Sequence, residues 1–304
     1  MTEFPQVLLL GNGMNRAYQG GDWFDLLKKI HTSHKVDFDE AKELPFPLQA
    51  VLVTEDHVDE AIKENQKLFY GIENIDNLKQ PIQELLCTPF DHILTTNYSY
   101  EIERVANPRV QLSGQYCKEL MRHTDAVSRA EGKYLLHTYN ELIYEGITHK
   151  VWHIHGEARK SNSVVLGHYY YGNLLGRYQS ELQKRGNQQY FRQQHGQSAI
   201  LNSWLDAFIM GDVYVLGFGF HFSEIDMWWL LNRKNRECAR HGGLYFYEPS
   251  QGNEVKASLI EAYGGKFENM GFWCASPNYR DFYDAAIKDI KSKVNYAKGL
   301  TIHG

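Results

Sequence analysis

Polar residues follow directly after three apolar runs of the sequence. Asn12 comes just after Val7–Leu10, Asn97 after His92–Thr95, and His155 after Val151–Ile154. A carboxamide both donates and accepts hydrogen bonds, so it can hold a sugar hydroxyl or a water, and an imidazole titrates near neutral pH. If the runs are parallel strands, their carboxyl ends meet at one edge of a sheet, where ligands bind. The sequence therefore predicts acid–base chemistry with Asn97 and His155 as catalytic residues.

Structural interpretations of the same residues remain open. Asn97 could instead cap the helix that follows it. His153 and His155 alternate with apolar residues on a strand, so they are expected to face the same way, and Gly156 lets the chain turn after them. The two rings could belong to a metal site, or His153 could be a hydrogen-bonded core residue. No further ligands occur at comparable spacing, so no metal is predicted.

A glycine-rich turn follows the first apolar run. The candidate binding residues here are Gly11, Asn12, Gly13, Met14 and Asn15. Glycine tolerates positive φ and allows close approach of a ligand, while the start of the next helix offers unpaired N–H groups to a phosphate. A tight strand-to-helix turn without a ligand is the alternative.

A second turn of the same type follows Val213–Leu216. It contains Gly217 and Gly219, and the next helix is expected to begin with Ser223 as N-cap and Asp226 in the capping-box position. Two glycine turns suggest a ligand with two ends, with phosphate at one turn and the adenosine ribose at the other. Gly217, Gly219 and Asp226 are therefore also predicted to bind the nucleotide.

Six short apolar runs are expected to be strands, and most are separated by helical patterns. They are Val7–Leu10, His92–Thr95, Val151–Ile154, Val213–Leu216, Leu244–Tyr247 and Phe272–Cys274. This alternation predicts an α/β fold with a Rossmann-like, doubly wound, mostly parallel six-stranded sheet and helical insertions. One domain, residues 1–304, carries insertions at about 32–88, 109–146 and 168–206. A hairpin around Asn140 and a closing helix over Tyr279–Ala297 are also expected.

Composition and missing motifs exclude several function classes. A net charge of −5 argues against general binding of nucleic acid or anionic membranes. Four scattered cysteines form no Cys-x-x-Cys pair, and the first residues form neither a signal peptide nor a membrane span, so we expect a cytoplasmic protein with reduced thiols. No P-loop and no Gly-x-Ser-x-Gly elbow occur, and the first turn lacks the third glycine of the dehydrogenase fingerprint.

Together these stretches resemble the sirtuin-like superfamily. Gly11–Asn15 is similar to the first glycine motif, Thr95-Thr96-Asn97-Tyr98 to a bacterial Thr-Thr-Asn-Tyr-Asp motif, His155-Gly156 to the catalytic His-Gly, and Gly217-Phe218-Gly219 to the later ribose loop. Asn15 replaces the usual Ser, and Ser99 stands where many relatives have Asp. The zinc module of deacetylases is missing. A more distant similarity is to the abortive-infection H family.

The resemblance implies a function in the bacterial defence branch of this superfamily. Members of that branch cleave NAD to nicotinamide and ADP-ribose and so starve phage-infected cells. NAD would be the substrate, held in part by Thr96, with Asn97 and His155 catalytic. A homo-oligomer or a complex with a defence partner is expected, with the aromatic-rich segment 168–191 near the cleft. The alternative is a sensor that binds NAD or ADP-ribose without turnover.

Overall fold

The computed structural model describes residues 4–19, 23–32, 38–70, 75–107, 121–123, 132–192, 203–237, 241–248, 254–268 and 279–300. Its strands are β1 (Gln6–Leu10), β2 (His92–Thr95), β3 (Met121–His123), β4 (Tyr139–Tyr144), β5 (Ile147–His153), β6 (Asp212–Leu216), β7 (Leu244–Tyr247) and β8 (Lys266–Glu268). They form one sheet in the order β3-β4-β5-β2-β1-β6-β7-β8.

Six of these strands are parallel, and β1 lies in the middle of them. It pairs with β2 on one side, where Leu9 is opposite Leu94, and with β6 on the other, where Leu9 is opposite Val215. From β1 the chain builds outward through β2 and β5, then returns to the far side of β1 for β6, β7 and β8. The carboxyl ends of β1 and β6 are therefore neighbours although the strands are 200 residues apart.

Helices cover both faces of the sheet. They are α1 (Gly13–Gln19), α2 (Trp23–Ile30), α3 (Phe38–Ala41), α4 (Phe46–Val53), α5 (Val58–Glu64), α6 (Asp76–Leu86), α7 (Glu101–Ala106), α8 (His168–Arg192), α9 (Trp204–Met210), α10 (Ile225–Glu237), α11 (Glu254–Ala262) and α12 (Tyr279–Ala297). No helix in the described part of the chain is long and apolar enough to cross a membrane.

Each strand of the central sheet supplies side chains to two separate cores, because successive residues of a strand point to opposite faces. Leu8 and Leu10 of β1 pack in one core with α1, α6 and α12. Val7 and Leu9 pack in the other with α8, α9 and α10. The parallel strands are thus buried on both sides, which explains their continuous apolar runs.

The α/β class and the mostly parallel sheet agree with the sequence prediction. Five of the six predicted strands are present, as β1, β2, β5, β6 and β7. The sixth parallel strand is Lys266–Glu268, which was not predicted; Phe272–Cys274 lies outside the described residues. The closing helix spans Tyr279–Ala297 as expected, and the segment between β1 and β2 is helical.

The predicted hairpin around Asn140 is wrong in its position. Asn140 lies inside β4 and is buried, and the turn falls at Glu145 and Gly146, between Tyr144 and Ile147. Both turn residues have positive φ, +48° and +80°, as a two-residue hairpin turn requires. Asn140 was chosen for its turn propensity, but its amide is needed in the core, where it donates to Oε1 of Glu103 at 2.9 Å.

Lys234 on α10 joins that helix to the end of α9. Its side chain is buried, and Nζ donates to the carbonyl oxygens of Phe208, Ile209 and Gly211 at 3.1, 3.1 and 2.6 Å. The last carbonyls of a helix have no partner within the helix, so a buried cation there satisfies them.

Replacing Lys234 with Met is expected to lower the free energy of unfolding by about 2–3 kcal/mol, because buried carbonyls lose charged donors. Urea unfolding followed by circular dichroism measures this loss. Arg236→Met, on the exposed side of the same helix, is the control and is expected to change stability by less than about 0.5 kcal/mol. Equal losses in the two variants would contradict the role of Lys234.

Candidate functional site

Hydrogen bonds join the loop after β1 to the end of β6. The amide of Gly11 donates to the Leu216 carbonyl at 3.0 Å, and the amide of Gly13 donates to the Gly217 carbonyl at 2.7 Å. The prediction that this turn offers its N–H groups to a phosphate is therefore wrong for Gly11 and Gly13. The loop after β6 already occupies these two donors.

Steric packing gives the same glycines a structural role. A Cβ on Gly11 would lie 2.5 Å from the Gly217 oxygen, and one on Gly13 would lie 2.8 Å from it. Gly217 itself has φ +68°, a conformation that favours glycine. Gly219 differs, because it is exposed and no described atom lies within 4 Å of a Cβ built on it. Three of the four predicted glycines are thus required by contact between the loops.

The remaining predicted residues of the first loop have different environments. The side chain of Asn12 is exposed, whereas that of Met14 is completely buried in the core, so only the main chain of Met14 can meet a ligand. Asn15 is 5% exposed, and its carboxamide has no hydrogen-bond partner among the described residues. The main-chain N–H groups of Asn12, Met14 and Asn15 also lack acceptors within the described part of the chain.

Asn97 lies at the carboxyl end of β2, as predicted. Its main-chain N–H donates to Oγ1 of Thr95 at 3.1 Å, and the N–H of Thr96 donates to the Leu10 carbonyl at 3.2 Å. The next helix begins only at Glu101, with Tyr100 as its N-cap, so the capping interpretation of Asn97 is wrong. Within the described residues its half-buried carboxamide has no partner and is available to a ligand.

His153 holds the main chain of Asn97 in place. Its Nδ1 lies 2.8 Å from the Asn97 carbonyl oxygen and its Nε2 lies 2.9 Å from Oε1 of Glu103. Burial opposes ionisation of Glu103, but His153 and the amide of Asn140 outweigh it and lower the pKa of that carboxyl group. His153 is thus the hydrogen-bonded core residue that one interpretation predicted, and its neighbours fix the loop that carries Asn97.

His155 contacts different elements from His153, so the prediction that the two rings face the same way is wrong. The strand ends at His153, and a turn that contains Ile154 and His155 is closed by the Gly156 amide, which donates to the His153 carbonyl at 3.1 Å. His155 therefore lies within the turn and does not continue the alternation of the strand. The Nε2 atom of His155 lies 2.8 Å from Oδ2 of Asp226, and both side chains are buried.

The loop after β6 brings Asp226 to His155. The two parent strands, β5 and β6, are separated by β2 and β1, a gap of about 14 Å at the usual strand spacing. The chain crosses this gap through Phe220, whose φ of +44° is strained for a bulky residue and whose ring packs against Phe246 and Trp228. The pair therefore lies above the carboxyl ends of the central strands.

The capping role predicted for Asp226 is also wrong. Helix α10 begins at Ile225, and the hydroxyl of Ser223 lies 2.7 Å from Nδ1 of His221. Asp226 Oδ2 is instead occupied by His155, with the Tyr178 hydroxyl 3.5 Å away. A carboxylate accepts, so Nε2 carries the hydrogen and Nδ1, which has no partner in the described structure, is left as the acceptor.

Electrostatics make this imidazole a stronger base. Burial opposes the charged ring, but the Asp226 carboxylate outweighs burial and raises the pKa of His155. Glu224, two residues before Asp226, also contributes, and its own pKa is raised to about 7 by burial and by Asp226, against the effect of His155. A neutral histidine oriented in this way and made more basic by a buried carboxylate is suited to take a proton from water.

His155, Glu224 and Asp226 each offer a possible ligand atom, and these atoms lie within 4.8 Å of one another. Such a set could hold a divalent cation by its donor types. Here the imidazole and the Asp226 carboxylate are in direct hydrogen-bond contact at 2.8 Å, so a proton already fills the position between them. The geometry favours an acid–base pair.

The pair is closed off from solvent in this structure. His155 is only 3% exposed, and the ring of Tyr171 on α8 packs edge-on against it with centroids 5.4 Å apart. Two small cavities occur elsewhere in the described residues, one beside His153 and one between β1 and α6, and each has room for no more than about one water molecule. Neither is lined by His155 or Asn97.

Several residues of this site were missed by the sequence analysis. Glu224 was hidden by the capping-box interpretation of the Ser-x-x-Asp spacing, although an acidic residue next to a glycine loop was visible. Glu103 left no local pattern, because its position depends on pairing between distant elements. Tyr171 lies within the aromatic segment predicted to be near the cleft, and its contact with His155 agrees with that placement.

Replacing Gly11 with Ala is expected to lower the free energy of unfolding by about 1–3 kcal/mol, because the new methyl group overlaps the Gly217 carbonyl. Gly219→Ala is the matched control in the partner loop and is expected to stay within about 0.5 kcal/mol of the parent protein. Thermal or urea unfolding of both variants measures the difference. A neutral Gly11→Ala would show that the loops do not pack as described.

Asp226→Asn is expected to lower the pKa of His155, because the amide removes the negative charge while burial of the ring remains. NMR titration of the imidazole carbon signals measures this shift. Asp212→Asn, an acidic residue at the opposite end of β6, is the control and should leave the titration of His155 unchanged. An unchanged pKa of His155 in Asp226→Asn would show that the pair does not form in solution.

The chain matches no known protein-family model, and no curated protein matches its sequence. The resemblance to the sirtuin-like superfamily thus depends on short motifs and their order.

Proposed function

We propose that the protein is an NAD glycohydrolase that cleaves the bond between nicotinamide and ribose. The observation that carries this proposal is the buried His155–Asp226 pair, whose Nε2 and Oδ2 atoms are 2.8 Å apart at the carboxyl edge of the parallel strands. A carboxylate that fixes one ring nitrogen leaves the other free to take a proton. Asn97 follows strand β2, which is adjacent to β5, and its carboxamide has no partner among the described residues.

The order of the parallel strands supports a dinucleotide ligand. Numbered along the chain, the six parallel strands lie in the order 3-2-1-4-5-6, which is that of Rossmann-like, doubly wound folds. In such folds the ligand binds where the strand order reverses, here between β1 and β6. The two glycine loops meet at this point.

The nucleotide would lie across this reversal point. Its pyrophosphate would contact the free N–H groups of Asn12, Met14 and Asn15, since those of Gly11 and Gly13 are occupied. Thr96 would line the path toward the nicotinamide ribose. Gly217 and Gly219 would flank the adenosine, where the absence of a side chain on exposed Gly219 leaves room for a ribose. Asp226 acts as a positioning residue for His155, because its carboxylate is fully buried.

The reaction separates a cationic leaving group from the ribose. The C1′–N bond breaks with its electron pair going to the ring, so nicotinamide leaves neutral and an oxocarbenium-like centre forms at C1′. Asn97 holds the ribose hydroxyls or the attacking water. As the water oxygen bonds to C1′, His155 Nδ1 accepts its proton, and the product is ADP-ribose.

Closure of the site favours one alternative function, binding of NAD or ADP-ribose without turnover. His155 lies beneath Tyr171, so a nucleotide reaches Nδ1 only after α8 moves. A sensor could use that movement as its output. Saturable binding of ADP-ribose with no nicotinamide release under any condition would favour the sensor.

A role in bacterial anti-phage defence by NAD depletion rests on the resemblance to the defence branch. Such an enzyme needs a means of staying inactive, and a homo-oligomer or a partner protein acting on α8 would provide one. The stripe of α8 formed by Leu174, Tyr178 and Leu182 is buried in the core, whereas Tyr169 is exposed. Only the exposed face of this helix is therefore open to a partner.

Nicotinamide release from NAD by the purified protein tests the proposal. Asn97→Ala and His155→Ala are each expected to lower the rate at least about 100-fold, because each removes a group that contacts the reacting atoms. His57→Ala replaces an exposed histidine whose side chain does not cap its helix, and it serves as the control. Substantial release that survives both site substitutions would exclude these roles.

A further inference from the structure

The charges around His155 do not balance. The ionisable groups that face one another come from four elements: Tyr98 after β2, His155 after β5, Tyr171 and Tyr178 on α8, and Glu224 and Asp226 at the start of α10. Burial and the two carboxylates raise the pKa of all three tyrosines, which keeps them neutral. The described residues thus place two carboxylates against one imidazole.

The Asp226 and Glu224 carboxylates differ in their exposure and in their contacts. Asp226 is fully buried and uses Oδ2 for His155, while its Oδ1 has no partner among the described residues. Glu224 is partly exposed as a residue, but its Oε2 atom is buried and also lacks a partner in the described structure. No described side chain therefore engages this oxygen of Glu224, which lies beside the base and nearer to solvent than Asp226.

We propose that Glu224 is a specificity-determining residue that recognises a positively charged group of the substrate. This inference rests on the proposed function, under which that group is the pyridinium ring of oxidised NAD. A buried carboxylate oxygen without a partner is costly, and a cation is the ligand chemistry that offsets the charge of Glu224 as well as that of Asp226. The substrate class is thus an N-glycosylated pyridinium, distinguished from the neutral dihydropyridine of the reduced nucleotide.

Proton linkage follows from this arrangement. With the site empty, the pKa of Glu224 is raised to about 7, so part of the protein carries a proton on this carboxyl group near neutral pH. A cation beside it favours the ionised form and lowers that pKa, so binding releases the proton to solvent. A neutral ligand in the same position releases none. During the reaction the positive charge moves from the pyridinium ring to the C1′ atom of the ribose, which stays near the Glu224 carboxylate.

Calorimetric titration at pH 7 in two buffers of different ionisation enthalpy measures the protons released. The ligands are carbocyclic NAD, which keeps the pyridinium and resists cleavage, reduced NAD, and ADP-ribose. We expect carbocyclic NAD to release a measurable fraction of a proton per site and the other two to release close to none. In Glu224→Gln this release should disappear, and the preference for the cationic over the reduced nucleotide should fall about tenfold.

Glu224→Asp keeps the negative charge, so this variant is expected to retain both the proton release and the preference for the cationic nucleotide. Its result separates recognition of charge from loss of structure. Release that persists in Glu224→Gln would assign the proton to His155 and overturn the inference. Binding of ADP-ribose without proton release by carbocyclic NAD would overturn the inference alone. Failure of all three nucleotides to bind would overturn the proposed function and the inference with it.

Discussion

The position of the whole site depends on the contact between the loops that leave β1 and β6. The amides of Gly11 and Gly13 donate to the last carbonyls of the β6 segment, and the backbones approach so closely that a Cβ on either glycine would overlap the Gly217 oxygen. This contact sets where the β6 loop leaves the sheet and therefore where α10 begins. Asp226 and Glu224 lie in the first residues of that helix, so the glycine loops place the carboxylates that act on His155.

Much of the fold follows from local pattern, whereas much of the site does not. Buried parallel strands such as Val7–Leu10 have continuous apolar runs, and α12 has an uninterrupted helical period, so both are visible in the sequence. Asn97 and His155 were found because they stand where such runs end. Asp226 was misinterpreted as a capping residue and Glu224 was passed over, because the spacing Ser-x-x-Asp has the same local form whether the carboxylate caps its own helix or reaches a ring on another strand.

The two histidines of the third motif show how hydrogen bonding separates a structural residue from a reactive one. Both nitrogens of His153 lie within 2.9 Å of acceptors, and the Glu103 carboxylate beside it has a lowered pKa, so this pair is balanced and fixes the loop of Asn97. His155 has one partnered nitrogen and two nearby carboxylates, one of which has a raised pKa. A histidine paired with one carboxylate, as in His153–Glu103, stabilises the fold. A histidine next to two carboxylates can still exchange a proton or bind a cation.

Burial of His155 next to the Asp226 and Glu224 carboxylates links proton exchange at this cluster to movement of the residues that cover it. Burial under the ring of Tyr171 opposes the charged form of His155, but the Asp226 carboxylate outweighs burial and raises the pKa of that ring. Burial also raises the cost of leaving two carboxylates without a cation. In the closed state a proton on Glu224 relieves that cost. Under the proposed function, a cationic ligand would replace this proton after Tyr171 or its helix moves aside, so entry of the substrate, loss of the proton and activation of the base would be coupled steps at one site.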